Sequence, residues 1–341
     1  MLNDKELIVI SNEKVNLNSN GFFCDNLDIK TILEGLSKKF KILFCCKFSK
    51  EKRLVKFNIK ETIAIKNLFD FIKCIYLIIK IKNKKILYIS IHPFSFCFFL
   101  TLSLFRKNSF VYLRSDGFKE YEVILGKKWI WIYRIMFNIT TFSSKIISCH
   151  SSLAKNKEQH LLNPSELDKE WFSSLKNPEL NFPKLLYVGR LKIEKGIFSL
   201  IDIIKKIKSK NELTIIGSGE GVVANKSNSI KLVSFVNNKN DLINYYDNHN
   251  IVILPSFTEA HPKVVDEALA RYRPVIIFSE IKHIIEGRSG VFVAERNSES
   301  LGKVILHIMK NYSNIQNTMK QNQLPTKENF LNELEKILKY Q

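Results

Sequence analysis

Residues 251–279 read "IVILPSFTEAHPKVVDEALARYRPVIIFS". An apolar, β-branched run opens the stretch ("IVILPS", 251–256) and a second closes it ("RPVIIFS", 273–279). Between them Pro262 opens "PKVVDEALARY" (262–272), and proline suits the first turn of a helix, where its missing N–H would lack a partner anyway. Strand, helix and strand at this spacing make one crossover of a parallel sheet. The alternation continues on both sides. Upstream lie candidate strands at 184–191, 212–220 and 230–236, with helical periodicity at 197–210 and 238–249; downstream, 298–312 reads as a helix. The first half is less regular, with strands expected at 6–12, 40–48, 85–94, 109–117 and 144–150 and helices at 28–40 and 67–84. Such alternation implies parallel sheets covered on both faces through right-handed crossovers.

At 341 residues the chain exceeds one ordinary core. The tract 163–184 holds three prolines and little periodicity, which marks a separation between the halves. The expected organisation is α/β: a domain at 1–165, a linker at 166–183, a second domain at 184–325 and a closing helix at 326–341. That helix presents Phe330, Leu331, Leu334, Ile337 and Leu338 on one face and is expected to pack back across the junction. Two doubly wound domains facing a central cleft follow, with ligands at the carboxyl ends of the strands.

Composition narrows the function classes. Hydrophobic residues at 45% and charged residues at 25% describe a globular chain, neither disordered nor fibrous. The net charge of +20 is uneven: residues 1–150 hold 26 Lys/Arg against 12 Asp/Glu (+14), residues 151–341 hold 27 against 21 (+6). A cationic first half attracts nucleic acid, anionic lipid head groups or phosphorylated substrates, and a solvated lysine-rich surface is the plain alternative. All six cysteines lie in the first half without a CxxC pair, as expected of buried free thiols in a reducing compartment. The start "MLNDKELIVISNEK" resembles no secretory leader. The longest apolar run, "FSFCFFLTLSLF" (94–105), falls short of the roughly 20 residues that cross a bilayer.

The quoted stretch also places Glu259 and Glu267 around the start of a helix. The amides of Lys263, Val264 and Val265 would point outward there and, with the helix dipole, offer a phosphate site. The two carboxylates can flank a ligand held at that end and accept hydrogen bonds from sugar hydroxyls. "YVGRLKIEKG" (187–196) sets Gly189 and Arg190 at a neighbouring strand end, with Lys195 shortly after. These cations can neutralise charge building on a departing diphosphate. "IIGSGE" adds Gly217 and Gly219, where a backbone can approach a ligand closely. A helix cap, solvated cations and a plain turn would explain each element singly; their convergence on one sheet edge favours a site.

In this order and spacing, "VGRLKIEKG", "IIGSGE", "ILPSFTEAHPKVVDEALA" and "RPVI" resemble the C-terminal domain of glycosyltransferase family 4, over about 184–312. The resemblance implies a GT-B fold of two Rossmann-like domains and retaining transfer from a nucleotide-diphosphate sugar. By it, Arg190 and Lys195 contact the diphosphate, Glu267 the ribose and Glu259 the transferred sugar. The loop His261, Pro262, Lys263 and Val264 holds phosphate and donor, and Phe235 and Val236 line the base pocket. No metal or other cofactor is expected, since the basic residues assist the leaving group. Ala260, His261 and Asp266 depart from the family pattern, which bears on the donor-sugar pocket.

In the first half, Gly21 stands alone where the family often has a glycine-rich loop and is expected on the acceptor side, and His92 in "SIHPFS" matches a histidine that often meets the donor sugar. "LRSDG" brings Asp116 to the next strand end as an acceptor contact. The expected acceptor is a glycan or lipid-linked precursor of a cell-surface polysaccharide. The protein is expected in the cytoplasm, at the inner face of an anionic membrane, because "NLFDFIKCIYLIIKIKNKK" mixes lysines with large apolar residues as interfacial helices do. A nucleotide-sugar epimerase of the same shape is the enzymatic alternative. A nucleic-acid-binding protein is the other, although aromatics and cations form no RNA-binding motif here.

Overall fold

A computed structural model describes residues 6–81, 84–105, 108–217, 229–236 and 238–339. The chain divides into two units, Met1–Glu166 with Lys327–Gln341, and Leu167–Thr326.

The first unit contains strands β1 Leu7–Asn18, β2 Gly21–Cys24, β3 Ile42–Phe48, β4 Val55–Phe57, β5 Thr62–Ile65, β6 Lys85–Ile89, β7 Asn108–Leu113, β8 Lys145–Ser148 and β9 His160–Leu161. Seven of them form a parallel sheet in the order β5-β3-β1-β6-β7-β8-β9. Leu7, Ile8, Val9 and Ile10 are all fully buried, which is why β1 starts as an unbroken apolar run. One face packs against helices Leu27–Leu36 and Lys327–Lys339, with Phe330, Leu334 and Leu338 in the core. There Gly35 gives room to Leu331: a Cβ on Gly35 would lie 2.5 Å from Leu331 Cδ2. Helices Leu68–Lys80, Pro93–Ser103, Gly117–Leu125 and Ile130–Phe142 follow from right-handed crossovers running the other way, so they cover the opposite face.

The stretch after residue 12, expected as a loop, continues β1 to Asn18 and returns as β2, with Asn18 opposite Gly21. Val15 and Leu17 alternate with Asn16 and Asn18 ahead of Asn20-Gly21, and that is a hairpin signature. Five cysteines are buried and Cys97 is exposed; all six are free thiols.

The second unit is a six-stranded parallel sheet: β10 Lys184–Val188, β11 Glu212–Ile216, β12 Ile230–Val233, β13 Ile251–Leu254, β14 Val275–Phe278 and β15 Val291–Ala294. Its order is β12-β11-β10-β13-β14-β15. The chain builds outward from β10 on one side, then returns to add β13, β14 and β15 on the other. Between β10 and β13 the winding reverses, and ligands of such sheets bind outside that point.

Residues 167–183, from the stretch 166–183 expected as a linker, pack as part of this unit. Trp171 is buried edge-on against Tyr246, ring centroids 5.5 Å apart. Arg271 donates to the carbonyl oxygens of Trp171 at 3.0 Å and Ser173 at 2.7 Å. The prolines signalled missing periodicity, not missing contacts. Asp247 pairs with Arg271 through both carboxylate oxygens, at 2.9 and 2.7 Å, in the buried interior.

Replacing Asp247 with Ala leaves two buried guanidinium groups without a counter-charge. The expected cost is about 3–5 kcal/mol of stability, read from denaturant unfolding. A loss below about 1 kcal/mol, the scale of an exposed pair, would show that Asp247 does not balance them.

Candidate active site

Three loops meet at the carboxyl edge of the second unit's sheet. After β10 the backbone N–H of Gly189 donates to Ile216 O at 3.0 Å, joining the ends of β10 and β11. A Cβ on Gly217 would fall 1.9 Å from Gly189 O, so only glycine lets these two turns touch. Gly219 lies outside the described residues. Arg190 is exposed, and its carbonyl accepts from the Tyr187 hydroxyl at 2.8 Å.

Residues 193–195 then form a 3₁₀ turn ending at Gly196, whose φ is +68°. A Cβ there would meet Pro255 O at 1.9 Å. The loop after β10 thus lies directly on the loop after β13, and Phe257 N–H donates to Glu194 O at 3.0 Å. This contact brings Lys195 to Glu259: Nζ lies 2.5 Å from Oε1, which also accepts from Ser256 Oγ at 2.7 Å. Lys195 and Glu259, 64 positions apart, are held as a pair at the reversal point of the sheet.

Pro262 caps helix Lys263–Ala270, and no described side chain caps that end. Val264 packs on the core, while Lys263 is half-buried at the first turn. Glu267 is buried one turn further in, and the Tyr246 hydroxyl donates to its Oε2 at 2.7 Å. Burial, reinforced by the neighbouring Glu267 carboxylate, holds the Tyr246 phenol well above its usual range, so it stays a donor. Phe235 follows β12 and is partly exposed, and Val236 packs on the core.

His261 stands apart from this group. Its side chain is 2% exposed, and Nε2 lies 2.8 Å from Asp266 Oδ2, while Arg288 holds the other oxygen of Asp266 at 2.6 Å. The imidazole that was expected to touch the donor is engaged inside the protein.

In the first unit, His92 precedes helix Pro93–Ser103 at the end of β6, with its N–H donating to Ser95 Oγ at 3.0 Å. A small pocket there is lined by His92, Arg114, Glu120 and Tyr133 among others. Burial, then the positive charges of Arg114 and Lys47, lower the His92 pKa from 6.5 to about 4. Asp116, expected to contact an acceptor, caps helix Gly117–Leu125 instead: Oδ1 accepts from Phe118 and Lys119 N–H at 3.0 and 3.3 Å. Gly21 closes the β1–β2 hairpin at φ +120°.

Two residues outside the expected site hold it together. Tyr246 orients Glu267. Arg296 donates to Pro255 O at 3.0 Å and Ser199 Oγ at 2.9 Å and lies over the Phe257 ring at 4.0 Å, fixing the loop that carries Glu259. The helical spacing of 238–249 gave a face for Tyr246, whereas nothing near Arg296 in the sequence marks its reach.

His92 gives a pH test. As pH falls, the unfolded chain takes up the proton near 6.5 and the folded chain only near 4. Stability carried by neutral His92 is therefore present above pH 6.5 and lost progressively down to about 4. The unfolding midpoint is expected to drop more steeply across that window than it does in His92→Asn. Parallel curves would count against a neutral imidazole in the folded protein.

Residues 182–311 match the family model described as "Glycosyl transferases group 1". The chain is 30% identical over 139 residues to the capsular polysaccharide biosynthesis glycosyltransferase CapM of Staphylococcus aureus, covering 37% of this chain and 37% of that protein. Across the curated relatives it matches, the chain spans between 23% and 41% of their length. Among solved structures, sucrose-phosphate synthase of Thermosynechococcus elongatus superposes with a TM-score of 0.72 at 15% identity, over 98% of each chain. HepE of Anabaena in complex with UDP-glucose gives 0.69 at 12% identity, over 97% of this chain and 99% of that one. These structures share the fold. Residues 182–311 thus resemble the group 1 glycosyl transferases, and the chain shares the GT-B fold of these structures.

Proposed function

We propose that the chain is a retaining, family 4-type glycosyltransferase that moves a sugar from a nucleotide-diphosphate donor to a glycan or lipid-linked acceptor in cell-surface polysaccharide synthesis. The observation that carries this is the Lys195–Glu259 pair at 2.5 Å where the strand order reverses, on the same sheet edge as exposed Arg190 and the start of helix Lys263–Ala270. One cation and one carboxylate there are two halves of a donor site, each satisfied by the other until a ligand separates them. A diphosphate takes Lys195 and Arg190, with the helix amides beyond Pro262 as further donors. A sugar hydroxyl takes Glu259. The ribose hydroxyls meet Glu267, whose second partner Tyr246 keeps it oriented, and the base lies by Phe235 and Val236.

As the bond between the sugar and the diphosphate breaks, negative charge collects on the departing phosphate. Arg190 and Lys195 offset it, so this reading requires no metal. Within the first unit, the pocket at His92 and Arg114 can receive acceptor groups, with His92 neutral at physiological pH. The likeness to CapM supports a polysaccharide setting, and the fold shared with UDP-glucose-bound HepE makes UDP-hexoses the first donors to screen.

Thermal shift and donor turnover across UDP- and GDP-sugars, with and without a glycan acceptor, test the reading. Turnover of the donor into an epimer without acceptor would overturn it. Arg190→Ala and Lys195→Ala are each expected to lower kcat by about 10²–10³-fold with the fold intact, and Glu267→Ala to raise the donor KM. Near-normal rates in both cation variants would remove the leaving-group role.

A further inference from the structure

We infer that the helices covering one face of the first unit's sheet form a docking surface for an anionic lipid bilayer. Helix Ile130–Phe142 buries Tyr133, Met136, Phe137 and Thr140 on its inner side. On its outer side Trp131, Ile135, Ile139 and Phe142 recur at helical spacing and are exposed, Phe142 by 89%. The helix is apolar on both sides, though among the described residues only one side is buried, and such a helix is ordinarily enclosed.

The neighbouring helices repeat the arrangement. Helix Leu68–Lys80 buries Cys74 and Ile78 and exposes Leu68, Phe69, Ile72 and Tyr76. Leu104, just past helix Pro93–Ser103, is 81% exposed, and helix Gly117–Leu125 ends in exposed Val123, Ile124 and Leu125. These helices are contiguous: Phe71 meets Phe98 at 4.5 Å between ring centroids, Phe118 meets Tyr133 at 4.8 Å, and helices Pro93–Ser103 and Ile130–Phe142 pack side by side. Exposed apolar residues on this scale mark an interaction surface.

Charge selects the occupant. Residues 68–142 hold 12 Lys/Arg and 4 Asp/Glu, a net +8, and from Val123 to Phe142 there are three cations and no carboxylate. Exposed Lys73, Lys80, Lys127, Lys128 and Arg134 are interleaved with the apolar residues, and Lys80 Nζ lies 4.1 Å above the Tyr76 ring. Protein interfaces deplete lysine at their centre, whereas a bilayer surface takes cations at the head groups and rings and aliphatic chains just beneath. Trp129 and Trp131 suit the head-group level. No described helix is long and apolar enough to cross a membrane. The surface therefore lies on the bilayer. The use we give it, presenting the enzyme to a lipid-linked acceptor, rests on the transferase reading; the surface itself does not.

The full chain mixed with phosphatidylglycerol/phosphatidylcholine vesicles tests this by flotation. Binding is expected to exceed that to phosphatidylcholine alone by about tenfold or more and to weaken with salt. Trp emission should shift to the blue, since Trp129 and Trp131 are exposed and Trp171 is already buried. The combined change Leu104→Ser, Trp131→Ser, Phe142→Ser alters exposed positions only, so an unchanged melting curve with lost flotation supports the surface; Lys127→Glu with Lys128→Glu should remove the anionic preference. Equal binding to both vesicle types, or undiminished flotation of the triple variant, overturns the proposal. So does a dimer that the triple variant abolishes in a chain that ignores vesicles, which would give this face to a second copy. Donor-induced thermal shift, unchanged in these variants, keeps the outcome separate from that of the donor site.

Discussion

Two guanidinium groups, those of Arg271 and Arg273, are each 1% exposed in the second unit and share one carboxylate, Asp247. Burying such charges costs several kcal/mol apiece unless every donor finds an acceptor. Here the acceptors are largely backbone. Arg271 reaches the carbonyls of Trp171, Ser173 and Ser174, and Arg273 those of Tyr246, Asp247, His249 and Lys176. Several belong to the carboxyl end of helix Lys239–Asn248, where unpaired carbonyls and the dipole favour a cation. The cluster therefore fixes three things at once: that helix end, the irregular segment 171–176 and the end of helix Lys263–Ala270. Tyr246 belongs to the fixed helix, and through it the orientation of Glu267 depends on this buried charge cluster.

At the other end of helix Lys263–Ala270 the electrostatics are of the opposite kind. Lys195 and Glu259 side chains retain 21% and 12% exposure, so water can reach the pair. The loops bearing them are pressed together at Gly196 and Pro255, which fixes their spacing while leaving the charged ends adjustable. A rigid backbone beneath exchangeable charges is what an anionic, hydroxyl-rich ligand needs.

The second unit was largely legible in advance because its strands are short apolar runs punctuated by glycine and proline, and its helices are amphipathic. "IVILPS" and "KLLYVGRL" could hardly be anything but buried parallel strands, and their order put Arg190, Lys195 and Glu259 at one edge. The first unit resisted for a physical reason. Helices Pro93–Ser103 and Ile130–Phe142 carry apolar residues on all sides, so periodicity contains no face to detect. Asp116 was expected to meet an acceptor at a strand end, yet the same position is the start of a helix, where capping is the nearer use. His261 entered the expected donor loop through the family resemblance; in the structure its side chain pairs with Asp266, which Arg288 also holds. Tyr246 and Arg296 act over 21 and 41 positions on Glu267 and Pro255, distances at which a single sequence carries no signal.

The helix Lys327–Lys339 completes the core of the first unit, while the residues between Leu167 and Thr326 build the second. In order of synthesis, then, the unit that begins first finishes last. Emerging from a ribosome, the second unit has all its described strands available while Tyr112 and the helix face at Gly35 still lack the covering that Phe330 and Leu331 provide. The first unit must wait half-covered through the making of some 160 residues, its oily flank exposed to whatever chaperone or lipid lies nearby.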